Sequence, residues 1–305
     1  MEALKILLTG GTGLIGTRLT EILLNKGYRV CHLVRFPKQS QVEACRWDPQ
    51  TKYIDRNALA GVDIVIHLAG LDVSQKRWNA AVKNEILESR AGTARFLREF
   101  LENQPERPRA FISASGVNYY GVSNVGRHYD ESDKAGRDFM SRVTVLWEQE
   151  AEAFSQLGMR TAAIRTGMVL SAEGGALKKL ALPVRFCVGS PLGSGQQMVS
   201  WIHIDDLCAI YLRAIEDEQF RGPYNAVAPY PVTNEAFINE LARVLKKPLW
   251  APNVPEFVVR LVAGEVADIV LEGAAVAPRR LLDVGFSFQY PTLPGALENL
   301  YPAKP

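Results

Sequence analysis

Residues Phe111 to Gly121 read "FISASGVNYYG", which brings four hydroxyl side chains together: Ser113, Ser115, Tyr119 and Tyr120. A serine hydroxyl can hold a substrate oxygen, and a phenol can give a proton to an alkoxide developing there if it comes within hydrogen-bond reach. An unperturbed phenol titrates at about 10, so at neutral pH it is a donor and a slow base. Tyr120 therefore reads either as a proton donor or as scaffold, with Ser115 beside it. His203, in "WIHIDDL", titrates near neutrality and is a second acid or base; its other reading is a hydrogen-bonded ring that locks two parts of the chain together. Asp205 and Asp206 follow, but "IDDLCAIYLRAI" has the form of a capped helix start, which favours capping over a catalytic carboxylate pair. Cys31, Cys45, Cys187 and Cys208 make no CxxC pair, and the four histidines show no ligand spacing. No metal is expected, and the thiols read as reduced and mostly buried.

A second constellation lies in "LLTGGTGLIGTRL", where Gly10, Gly13 and Gly16 are each three residues apart. They follow a strand-like run, "LKILLTG", and open a helix-like one. There the chain must turn sharply, admit a pyrophosphate against bare backbone, and pack helix close to strand. The helix N-terminus offers unpaired N–H groups and the positive end of its dipole. Strand, glycine turn and helix in this order predict a dinucleotide site. The second strand ends "HLVRFPK". An acid at its end would bond the ribose 2′-hydroxyl of NAD. Arg35 stands there instead, with Lys38 beyond it, and a guanidinium clamps a 2′-phosphate. The expected cofactor is therefore NADP (NADPH). Trp47 and Asp48, after a short third strand, could flank the adenine, although a tryptophan there equally reads as core.

The elements that must position these groups alternate. "VEACRWD", "LAGVDIVIHLAG" entered through Asp63, "RAFISAS" and "MRTAAIRTGMVL" read as strands. "NAAVKNEILESRAGTARFLREFLEN" and "VTVLWEQEAEAFSQLG" read as helices. This predicts an α/β fold, a Rossmann-type doubly wound parallel sheet. Residues 1–170 form the NADP-binding part. Residues 171–305 form a smaller substrate and C-terminal lobe, interleaved with the sheet.

Composition narrows the function classes. A net charge of +2 over 305 residues points to neither nucleic acid nor an anionic membrane. The longest apolar runs are too short to span a bilayer. "MEALKILLTG" runs straight into a strand-like segment without the features of a signal peptide, so a cytoplasmic protein is expected.

The glycine loop, "HLAG" and "FISASGVNYYG" together resemble the extended short-chain dehydrogenases/reductases, the group that holds sugar-nucleotide epimerases and dehydratases. "RTGMVLSAEGGALKKLALPVRF", "GSPLGSGQQMVSWIHIDDL" and "LEGAAVAPRRLLDVGFSFQYPTLPGALENL" resemble its epimerase-like, cell-division-inhibitor-like branch, which carries a C-terminal domain of unknown function. The resemblance spans nearly the whole chain. It implies a Rossmann-type fold and nicotinamide binding, but no particular substrate. It places Gly10, Gly13, Leu14 and Ile15 at the phosphates and Arg35 at the 2′-phosphate. Leu68, Ala69 and Gly70 fall under the adenosine ribose and pyrophosphate. Glu85 and Arg90 approach the cofactor from the long helix, Ser113 lies near the nicotinamide ribose, and Met168 and Val169 pack on the ring. Trp201 and His203 face the same region. Lys178 and Lys179 match a substrate-contacting stretch, with a solvated helix face as their other reading, and "GSPLGSGQQ" matches a lid.

Catalytic members of that group use a tyrosine, a lysine four residues on, and a hydroxyl on the fifth strand. None of the ten tyrosines here has a lysine at that spacing. Aligned on "WE", Met140 takes the tyrosine position, Thr144 the lysine position and Gly116 the hydroxyl position. A thioether transfers no proton and a threonine carries no charge. The expected function is an NADP-dependent oxidoreductase for an unknown small carbonyl or sugar-like substrate, with an atypical proton donor, as monomer or homodimer. The alternatives are a non-catalytic NADP(H)-dependent sensor and a nucleotide-sugar epimerase or dehydratase.

Overall fold

In the computed structural model, which describes residues 3–37, 42–121 and 127–302, eight strands form the central sheet. The strands in chain order are β1 (Lys5–Thr9), β2 (Arg29–Val34), β3 (Glu43–Asp48), β4 (Tyr53–Ile54), β5 (Ile64–His67), β6 (Ala110–Gly116), β7 (His128–Tyr129), β8 (Arg160–Thr166), β9 (Met168–Leu170), β10 (Met198–Val199), β11 (Trp201–His203), β12 (Gly222–Ala226), β13 (Val232–Thr233) and β14 (Ala275–Val276). The sheet runs β12-β8-β6-β5-β1-β2-β3-β4, parallel except for the short β4. From β1 the chain winds outward through β2 and β3, then returns to β5 on the other side. The order therefore reverses between β1 and β5, and in open α/β sheets that crevice is where ligands bind.

Alternation along the buried strands sends Ile6, Leu8, Ile64, Ile66, Ile112 and Ile164 to one face. There they meet α1 (Leu14–Asn25) and, further along the chain, the helix Ile204–Glu216. Leu7, Leu33, Val65 and Phe111 point to the other face. That face is covered by α3 (Thr93–Glu102) and the end of α4 (Phe139–Glu152), while α2 (Ala80–Leu87) packs on α4 in a separate cluster. A wide π turn, Glu88–Gly92, joins α2 to α3. Each fully buried leucine or isoleucine contributes about 2 kcal/mol of transfer free energy, so the two apolar faces dominate the stability of the sheet.

The expected strand over "MRTAAIRTGMVL" breaks at Gly167. A Cβ there would lie 2.5 Å from the Ser200 carbonyl oxygen, and beyond it β9 leaves the sheet to pair with β11. The remaining helices are α5 (Gly175–Arg185), α6 (the Ile204–Glu216 helix), α7 (Asn234–Leu245), α8 (Glu256–Ala263), α9 (Ala267–Leu271), α10 (Arg279–Asp283) and α11 (Leu293–Leu300). α5, α7 and α11 bury a third core around Trp201, Phe237 and Leu241. The division near residue 170 is one of the chain and not of the sheet, since α6 packs on the first face and β12 pairs with β8. No helix among the described residues is long and apolar enough to cross a membrane.

Candidate dinucleotide site

The carboxyl end of β1 runs into the glycine turn. Gly10 has φ +70, and a Cβ on it would lie 2.8 Å from the Leu68 carbonyl carbon and 2.9 Å from the Ala69 nitrogen. The turn is thus pressed onto the end of β5, in the crevice where the strand order reverses. A Cβ on Gly16 would overlap the Gly10 carbonyl oxygen and lie 2.6 Å from Gly11 Cα, which is the close helix–strand approach the spacing predicted. Gly11, not singled out from the sequence, is equally constrained: its Cβ would meet the His32 ring at 2.5 Å. Gly13 is the N-cap of α1, no side chain caps it, and the first turn holds no acid. The free N–H groups at this terminus suit an anion.

Around this turn the polar groups are mostly committed. Thr9 Oγ1 accepts from the Ala69 N–H at 3.2 Å and bonds His67 Nδ1 at 2.8 Å. His67 Nε2 bonds Thr93 Oγ1 at 3.2 Å. The imidazole is fully enclosed, and burial lowers its pKa to about 4. It is a neutral spacer between β1, β5 and α3. Leu14 Cδ1 would meet a Cβ on Gly174 at 3.4 Å, and Leu14 Cδ2 one on Gly175 at 3.1 Å. The phosphate turn therefore touches the loop that starts α5, below Val169 on β9. Ile15 packs into the first-face core.

The other cofactor expectations divide. Arg35 stands exposed just past the end of β2; Lys38 lies outside the described residues. Arg90 sits in the π turn with its guanidinium over Gly70, 3.3 Å from where a Cβ would be. It donates to the carbonyls of Leu71 at 2.9 Å and Ile86 at 3.2 Å and lies over the Trp147 ring. Burial lowers its pKa to about 10. Glu85 is out on α2, paired with Lys76 at 2.9 Å. Ser113 is buried and donates to the Ala114 carbonyl oxygen at 2.8 Å. Trp47 is core, buried and stacked on Phe96, and Asp48 accepts from the Gln50 N–H at 3.0 Å. Lys178 donates to the Glu173 carbonyl oxygen and Lys179 to Ser74 Oγ at 2.6 Å. The expected lid segment is tied into the C-terminal lobe: the Leu192 N–H donates to Asn234 Oδ1 and the Gly193 N–H to the Val254 carbonyl oxygen.

Each proposed proton carrier has a structural partner that its sequence neighbourhood did not reveal. Ser115 Oγ donates to Glu148 Oε1 at 2.6 Å. Glu148 is held by Arg165 through two 2.8 Å bonds. Arg165 Nη1 donates to Tyr120 Oη at 3.0 Å, and that phenol donates to Asn225 Oδ1 at 2.7 Å. Burial raises the Tyr120 pKa to about 12. The Arg165 guanidinium also lies 3.4 Å over the Tyr119 ring. His203 is the N-cap of α6: its Nδ1 accepts from the Asp205 N–H at 3.1 Å, and its ring lies 3.9 Å from that of Tyr290. Capping thus falls to His203 and not to the aspartates. Asp205 pairs with Arg18 at 2.7 Å, while Asp206 accepts from the N–H groups of Gln289 and Tyr290. Trp201 is wholly buried and donates to the Tyr230 carbonyl oxygen.

Met140 packs with Val82, Ile86 and Val143, and Thr144 Oγ1 donates back to the Met140 carbonyl oxygen at 2.8 Å. The buried face of that turn carries no charge; Arg142, on its outer side, is exposed and donates to the Arg137 carbonyl oxygen at 2.8 Å. At Gly116 an added Cβ would lie 3.4 Å from Asn118 Oδ1. The Asn118 amide therefore stands beside the place where the hydroxyl is missing.

A family model described as the NAD dependent epimerase/dehydratase family matches residues 6–227, and a domain of unknown function, DUF1731, matches residues 254–300. The chain is 36% identical over 301 residues to the epimerase family protein SDR39U1 of Mus musculus, covering 97% of this chain and 99% of that protein. It is 34% identical over 300 residues to the epimerase family protein YfhF of Bacillus subtilis (strain 168), covering 97% and 98%. Among solved structures, human epimerase family protein SDR39U1 (isoform 2) with NADPH superposes with a TM-score of 0.87 at 33% identity, over 98% of this chain and 99% of that one. UDP-glucuronic acid 4-epimerase from Bacillus cereus, in complex with UDP-glucuronic acid and NAD, gives 0.78 at 17% identity over 98% of both chains, a likeness of fold alone.

Proposed function

This chain belongs to the NAD dependent epimerase/dehydratase family, and we propose that it is an NADP(H)-dependent oxidoreductase for a small carbonyl or sugar-like substrate, working without a tyrosine–lysine pair. The observation that supports this reading is the glycine turn pressed onto the end of β5, with Arg35 just past β2, together with a Met140–Thr144 face that carries neither a phenol nor an ammonium. The glycine turn and the α1 N-terminus hold the pyrophosphate, and Arg35 holds a 2′-phosphate. The human relative's structure with NADPH supports the phosphorylated nucleotide. A bound nicotinamide supplies or accepts a hydride. Asn118 Oδ1, beside the place of the missing hydroxyl, accepts a hydrogen bond from a substrate hydroxyl, and Met140 and Val143 keep that side apolar. The proton reaches the oxygen from water, since Tyr120 and Ser115 are committed to the Arg165–Glu148 pair. Residues 171–305 supply the substrate side, and the protein works in the cytoplasm.

The test is to mix the purified protein and NADPH with a panel of aldehydes, ketones and quinones and follow the loss of NADPH absorbance. Substrate-dependent oxidation is expected. A second reading, a sensor that binds NADP(H) without turnover, is favoured by the structural commitment of Ser115, Tyr120 and His203. It predicts tight binding, no oxidation across the panel, and partner binding that differs between oxidised and reduced nucleotide. Epimerase or dehydratase chemistry fits less well, because it needs efficient proton removal that neither Met140 nor Thr144 provides.

A further inference from the structure

On the sheet face opposite α1, two cysteines and a glutamate share one surface of β2 and β3. Cys31 stands in register with Glu43, and Cys45 follows two residues later, in register with Leu33. The two sulfurs are 3.7 Å apart. They and one Glu43 carboxylate oxygen all lie within 4.8 Å of one another. The cysteines are diagonal neighbours. With about 3.3 Å per residue along a strand and about 4.8 Å between strands, their Cα atoms are about 8 Å apart. A disulfide needs less than about 7 Å. A metal ion fits where that bond does not, because tetrahedral coordination with metal–sulfur bonds of about 2.3 Å places two sulfurs about 3.8 Å apart.

We propose that Cys31, Cys45 and Glu43 bind a thiophilic divalent cation of the zinc class, with a further coordination position left to water. Binding releases both thiol protons to solvent. The charges then cancel: two thiolates and a carboxylate face the divalent ion and the buried ammonium of Lys5, whose Nζ lies 2.9 Å from Glu43 Oε1. That contact leaves the second Glu43 oxygen for the metal. Cys31 is buried while Cys45 is half-buried and Glu43 exposed, so the ion has a route in from one side. Sulfur donors select zinc-class ions over magnesium or calcium. The ion would clamp β2 to β3 four residues before Arg35, and so steady the strand end that meets the nucleotide.

The experiment titrates cadmium alone into the full chain, stripped with a chelator and kept reduced by a phosphine, and reads the thiolate-to-metal charge-transfer band in the near ultraviolet. One equivalent should bind with that band. Cys45→Ser should lose the band and at least about tenfold in affinity, Glu43→Gln should bind more weakly with the band retained, and Cys187→Ser should behave as the parent. Zinc should raise the melting temperature of the parent and not of Cys45→Ser. Absence of the band in the parent, or equal affinity in parent and Cys45→Ser, overturns the proposal and leaves two contacting thiols only; the parent titration decides even if a variant fails to fold.

Discussion

Gly10 and Leu68 approach so closely that no side chain fits between them: a Cβ on Gly10 would lie 2.8 Å from the Leu68 carbonyl carbon. With φ at +70, the position also disfavours any L side chain. Gly10→Ala must either open the turn or hold it strained by about 1–3 kcal/mol. Calorimetric titration with NADPH should show about a 5- to 150-fold loss of affinity. An unchanged dissociation constant would mean that the turn does not hold the nucleotide.

Tyr120 is expected to be scaffold. Its phenol is pushed up to about 12 by burial and bonded to both Arg165 and Asn225. Tyr120→Phe should lower unfolding free energy by about 1–2 kcal/mol in a urea titration, while turnover stays within about twofold. A drop of about 10² or more in kcat with stability preserved would restore it as the proton donor.

Asn118 carries the opposite expectation. If its Oδ1 accepts from a substrate hydroxyl, Asn118→Ala should lower kcat/KM by about tenfold, the worth of one hydrogen bond of about 1.4 kcal/mol, and leave NADPH affinity unchanged in a direct titration. Loss of nucleotide affinity with turnover per bound nucleotide intact would place Asn118 outside the reacting pocket.

The enclosed His67 gives a pH dependence with a definite sign. Burial lowers its pKa from 6.5 to about 4 in the folded state, so between those values the unfolded chain binds the additional proton. Its contribution is present above the unfolded pKa and is lost as pH falls toward the folded one. Between pH 7 and 5 this amounts to about 2 kcal/mol. Urea midpoints at the two pH values should show that loss in the parent protein, and it should largely vanish in His67→Gln; equal slopes in the two would contradict it.

The glycine turn was legible in the sequence because each glycine answers a local demand, and so was the place of Arg35, exposed just past β2, because the apolar run of that strand ends there. The absent tyrosine–lysine pair needed only spacing. The roles of Ser115, Tyr120 and His203 were not legible, because hydroxyls and an imidazole look alike whether they carry protons or hold a frame. Their partners lie far along the chain: Glu148 for Ser115, Arg165 and Asn225 for Tyr120, Tyr290 for His203. Gly11 escaped notice because its neighbour, His32, sits on a different strand. The return of β12 to the sheet was hidden for a similar reason: "GPYNA" has little strand character of its own, and it is pairing with β8 that makes it one.

Calorimetry with NADPH and NADH, on the parent protein and on Arg35→Asp, tests the nucleotide cradle most directly. The parent should bind NADPH at least about tenfold more tightly than NADH, a preference worth about 1.4 kcal/mol, and Arg35→Asp should lose that preference mainly by weakening NADPH. Equal weakening of both nucleotides would contradict the role given to Arg35, and no heat of binding with either nucleotide in the parent would contradict the account as a whole.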